Sequence, residues 1–196
     1  MNKPTVISLG ALVASGGVLW GLSWILSPSE EGNNSQVEIW ASGVFQLGLL
    51  ALLAVMWVSR ATGTSRTARA LLAAEVVAVI LALAWTVPYL FDANRPTTGI
   101  LVVLDAFWPL SMLGLVVIGV LVTRAGQWPT PLRHLPLVAS LLIPVDLAVM
   151  WASDEVRYAV MGGYLAVSYG LLGLSMVRQS DRLQPQDSPV GETVRT

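Results

Sequence analysis

The chain has 196 residues, of which 55 % are hydrophobic and 12 % charged, with a mean hydropathy of +0.68 and a formal net charge of −1. A soluble domain carries about a quarter charged residues, so an ordinary water-soluble enzyme, a disordered chain and a nucleic-acid binder with a basic face are excluded. The absence of cysteine and the single histidine exclude disulfides, thiolate metal sites, iron–sulfur clusters and multi-histidine metal or haem sites within the chain, and no cofactor or metal is expected.

Six apolar segments follow one another: 6–26, 39–58, 70–90, 100–122, 135–151 and 158–177. Each approaches the roughly 20 residues that cross about 30 Å of hydrocarbon at about 1.5 Å per residue. They are continuously apolar rather than alternating, which excludes a β-barrel, and backbone in lipid must pair with itself, so helices are expected. The expected fold class is an all-α integral membrane protein, a six-transmembrane-helix bundle. The segment 6–26 reads as an uncleaved anchor, because only Lys3 precedes it, its apolar stretch is long and no A-x-A site comes before Ser29. It carries Gly17 and Gly21 in a G-x-x-x-G spacing, and 158–177 carries the small-residue series Gly162, Ala166 and Gly170; both faces are expected to pack within the chain. The segment 135–151 is the shortest. Residues 179–196 are polar, with Pro185 and Pro189, and are expected to form a disordered tail. Spans two and four share an apolar run that ends in an arginine, a likeness no stronger than any two such spans would show.

The loops alternate in charge. Lys3, Arg60, Arg66, Arg69, Arg124, Arg133, Arg178, Arg182 and Arg195 fall on one side, and only Arg95 and Arg157 on the other. That other side carries Glu30, Glu31, Glu38, Asp92, Asp154 and Glu155. The positive-inside rule then places both termini in the cytoplasm, with Trp24, Trp40 and Trp151 at the outer interface and Trp57 and Trp128 at the inner one. Arginine outnumbers lysine ten to one among the eleven basic residues, a codon bias that points to the inner membrane of a GC-rich bacterium.

Ionisable residues inside spans are costly, so each is a candidate for function. Asp105 and Asp146 both count to about 10 Å below the outer surface, and Gln46, Trp85, Thr86 and Tyr164 reach a similar level. Pro109 cannot donate to the carbonyl of Asp105, and Pro144 frees that of Ser140, so bends are expected beside both aspartates, as in the discontinuous helices that line transporter sites. Two readings stay open. One is an outward-facing acidic pocket of Asp105, Asp146, Gln46 and Tyr164 that takes a small solute or cation. The other is a set of structural hydrogen bonds. Glu75 is expected to snorkel toward Arg66, Arg69 or Arg124.

No H-E-x-x-H, G-x-S-x-G or P-loop motif is present, and neither aspartate sits in a glycine-rich protease motif, so catalysis is not expected. Two functions remain. One is a small transporter, permease or channel component, which at this length would act as a homo-oligomer or with a partner membrane subunit. The other is a non-catalytic accessory or scaffold subunit of a larger membrane complex. The expected partners are the lipid bilayer and such a subunit, with no nucleic acid.

Overall fold

A computed structural model of the chain describes residues 1–27 and 35–184. It is all-helical, with no strand among the described residues. Helices α1 (Lys3–Leu26), α2 (Gln36–Val58) and α3 (Arg66–Tyr89) are followed by the pair α4 (Ile100–Asp105) and α5 (Phe107–Ala125), the pair α6 (Leu135–Ser140) and α7 (Leu142–Val149), and α8 (Asp154–Arg178). Each packs on the next, and α8 returns to pack along α1, so the bundle closes into a ring. Five helices, counting α4 and α5 as one, are long and apolar enough to cross a membrane. The segments 132–140 and 142–149 make a sixth if the pair, bent by 46°, is one span.

Local chemistry sets the element ends. Asn2, Ser35 and Ser65 cap α1, α2 and α3, each accepting a backbone N–H three residues on. Gly126 ends α5 in the left-handed region at φ 62°, where a side chain would be strained. The interruptions inside spans have the same kind of cause. Pro109 and Pro144 each remove a donor to the residue four earlier, and the helix is interrupted at Ala106 and Leu141 respectively, one residue past the carbonyl left unpaired.

Glycine decides how closely the ring closes. Gly16 and Gly17 are adjacent, about 100° apart around α1, and serve different neighbours. A Cβ at Gly16 would lie 2.9 Å from the Phe45 backbone on α2, while one at Gly17 would overlap the Tyr169 side chain on α8. Further along the same seam, side chains at Gly21 and Gly162 would each run into the other's carbonyl, and one at Gly173 would overlap the backbone of Gly10 and Ala14. Of the expected small-residue series Gly162, Ala166 and Gly170, the first two lie at the closest approach, which Gly173 extends; a Cβ at Gly170 would meet a Val18 methyl on α1 at an ordinary 3.5 Å.

The first and last described residues meet at one end of the ring. Lys3 pairs with Asp181 at 2.9 Å, and Leu183 is fully buried in the 3-10 turn Ser180–Leu183. Of the segment 179–196 expected as a tail, the first residues form this turn, docked by one apolar side chain and one ion pair; 185–196 lie outside the described residues. Trp128 is buried, and its indole N–H donates to Ser59 Oγ at 2.9 Å, tying two loops together. Trp40, Trp57 and Trp151 are exposed, and Arg69 lies over the Trp57 ring.

The α1–α8 seam makes a paired prediction. Gly21→Val should destabilise the purified protein by about 1–3 kcal/mol through overpacking against backbone. Gly163→Ala, one residue from the seam with nothing within 4 Å of the new carbon, should leave stability unchanged. Thermal unfolding in detergent compares the two.

Candidate functional site

The end of the ring opposite the termini holds a pocket of about 210 Å³ between α1, α5, α7 and α8. Asp146 and Arg157 form its polar wall, and Trp24, Trp108 and Tyr158 its aromatic one. Arg157 donates from Nε to Asp146 Oδ1 at 2.7 Å and from an NH2 group to Oδ2 at 2.9 Å, a two-point contact that fixes both groups in a plane. The bend at Leu141 and the short turn before Asp154 bring these residues, eleven apart in sequence, face to face. The pocket therefore carries one charge of each sign.

The four expected site residues do not meet in one place. Asp146 lines the pocket. Asp105 is exposed at the end of α4, does not line the pocket and makes no ion pair among the described residues. The expected acidic pair is absent because the break at Ala106 leaves Asp105 on the outside of the ring. Tyr164 lies further along α8, and its hydroxyl donates to the Val138 carbonyl, fastening α8 to the α6–α7 bend. Gln46 is buried on α2, and neither its side-chain oxygen nor its nitrogen has a hydrogen-bond partner among the described residues.

Below the pocket a run of aromatic contacts follows. Trp24 packs edge-on against Trp20, with centroids 5.3 Å apart, and Trp20 meets Trp108 at 5.5 Å. Trp20 then contacts Phe45 at 4.6 Å, and Phe45 contacts Tyr169 at 4.8 Å. These side chains form an aromatic column along the interior. The indole nitrogens of Trp20 and Trp24 are buried without partners, as is Ser168 Oγ.

Glu75 overturns its expected role. It forms no ion pair with Arg66, Arg69 or Arg124 and is buried. On α3 it belongs to the inward stripe Ala68, Leu72, Glu75, Val79, Ala82 and Thr86, whose spacing of three and four residues marks one helix face. That spacing is in the sequence and was the signal available for its burial. Its carboxyl fills the notch left by Gly114 on α5, where any side chain would overlap it. Among the described residues, no three side chains of the metal-ligating types converge.

The ion pair makes a prediction of its own. Asp146→Asn and Arg157→Gln should each speed amide hydrogen exchange in α7, and the double variant should be no worse than either single one. The coupling should be about 1 kcal/mol or less, because both groups are partly exposed. Asp105→Asn should leave α7 unchanged.

Compared with known proteins, the chain matches no family model, no curated protein and no solved structure, so its site stands on its own geometry.

Proposed function

We propose that this chain is a six-span protein of a bacterial plasma membrane with both termini in the cytoplasm, acting as a non-catalytic accessory subunit of a larger membrane assembly. The Lys3–Asp181 pair supports the span count. Lys3 and Asp181 at one end of the bundle fit an even number of crossings, which supports counting the bent α6–α7 pair as one. The excess of basic residues on the termini's side supports the orientation.

The observation that carries the accessory reading is the aromatic column of Trp20, Phe45 and Tyr169. A carrier or channel needs a route past its binding site, and the rings that continue from the pocket's Trp24 and Trp108 through Trp20 to Phe45 and Tyr169 occupy interior space such a route would use. A second reading, a small-solute transport component, draws support from the bent span and the Asp146–Arg157 pocket. With one charge of each sign, such a site would suit a small zwitterion better than the simple cation that two acids would have favoured.

Two measurements test these proposals. Single cysteines at Asn94 and Glu155 should label with an impermeant thiol reagent in intact cells, while one at Thr64 should not; labelling at Thr64 alone would overturn the orientation. Purified protein in liposomes should conduct protons, monovalent cations and small zwitterions no faster than empty vesicles do. A saturable flux that Asp146→Asn abolishes would replace the accessory reading with transport.

A further inference from the structure

Outside the pocket and the column, one buried acid remains without a task. Glu75 is 5 % exposed, its Oε1 has no hydrogen-bond partner, and no described basic residue pairs with it. It also lies in the wall of an outward-opening groove of about 360 Å³ between α3 and α5. The rest of that wall is apolar: Leu71 and Ala78 on one side, Leu110, Leu113 and Val117 on the other. Leu71, Leu110, Leu113 and Val117 are all exposed on the flank of the ring. In a bilayer this flank faces hydrocarbon. Glu75 is the sixth residue of the apolar segment 70–90, about 8 Å along it, inside the span.

A carboxylate at that depth needs a proton or a cationic group to neutralise it, because an unpaired charge in an apolar medium costs several kcal/mol or more. Gly114 leaves the carboxyl reachable from the groove, whereas a larger residue would occupy its place. The groove is the size of a small-molecule site, and it spans only about two helical turns of α3, from Leu71 to Ala78, which is too short to seat a partner helix. A second copy of this chain offers no mid-span cation to pair with Glu75, because its basic residues lie at span ends and in loops. We propose that the Glu75 groove binds a lipophilic amine entering from the membrane. The ammonium group donates to the carboxylate, and the aliphatic or aromatic body lies along Leu71, Leu110, Leu113 and Val117. This site is separate from the Asp146–Arg157 pocket and does not depend on the accessory reading.

The test uses full-length protein in lipid nanodiscs and two fluorescent probes, dansylated 1,8-diaminooctane with its free amine and the same molecule N-acetylated at that amine. Binding is read by energy transfer from tryptophan, with empty nanodiscs as the blank. The amine should bind saturably and about tenfold tighter than the acetylated analogue, as one charge-assisted hydrogen bond would give. Glu75→Gln, nearly isosteric, should erase that preference, and Asp146→Asn should keep it. Ala74→Phe, an exposed change in the groove wall, should weaken both probes and so report the groove without touching the acid. Absence of saturable binding, equal affinity for the two probes, or a preference that survives Glu75→Gln would overturn the proposal.

Discussion

The close approach of α1 and α8 is the constraint on which the architecture rests. These are the first and last long helices, so their contact closes the ring. It exists because Gly10, Gly17, Gly21, Gly162 and Gly173 place no side chain between the two backbones. In lipid, apolar side chains gain little by leaving one hydrocarbon surface for another, and close backbone packing supplies much of the attraction. The adjacent Gly16 and Gly17 let α1 approach α2 and α8 at once, which makes it the helix around which the others are arranged. The docking of Ser180–Leu183 beside Lys3 follows from the same closure.

With the helices held so closely, the interior is decided by large side chains. Trp20, Phe45 and Tyr169 stack through the middle, and their bulk is accommodated where Gly16 and Gly17 omit side chains. The same packing strands polar atoms. Gln46, Ser168 and the indole nitrogens of Trp20 and Trp24 are buried without partners among the described residues. Charge is handled differently at each site. Asp146 has an arginine and a place near the end of the bundle, whereas Glu75 has neither, only a glycine notch and an apolar groove.

Much of the architecture was legible in the sequence because it has local causes. Apolar run length marks the helices, Pro109 and Pro144 remove particular donors, and the G-x-x-x-G spacing of Gly17 and Gly21 marks a close face. The site was less legible because it depends on rotation about helix axes as well as on depth. Counting residues put Asp105, Asp146, Gln46 and Tyr164 in one layer, but depth does not say which way a side chain points. Asp105 faces outward, Gln46 inward and Tyr164 toward the α6–α7 bend. The charge of Arg157 points to a loop, and only the turn between α7 and α8 folds it back onto Asp146. Nearby arginines point Glu75 toward an ion pair, whereas the three-and-four spacing of its neighbours puts it on the inner face of α3.

The central claim is a closed ring with an even number of crossings, and one distance tests it directly. The chain has no cysteine, so Lys3→Cys and Asp181→Cys can carry two spin labels without background. Both positions are exposed, and in the folded protein their side chains touch across the α1–α8 end of the ring. Pulsed electron resonance in nanodiscs should then give a single short separation, below about 20 Å, well under the roughly 30 Å hydrocarbon core that would divide labels on opposite faces. A distribution centred at or beyond the membrane thickness would put the two ends on opposite sides, break the even count and contradict the ring.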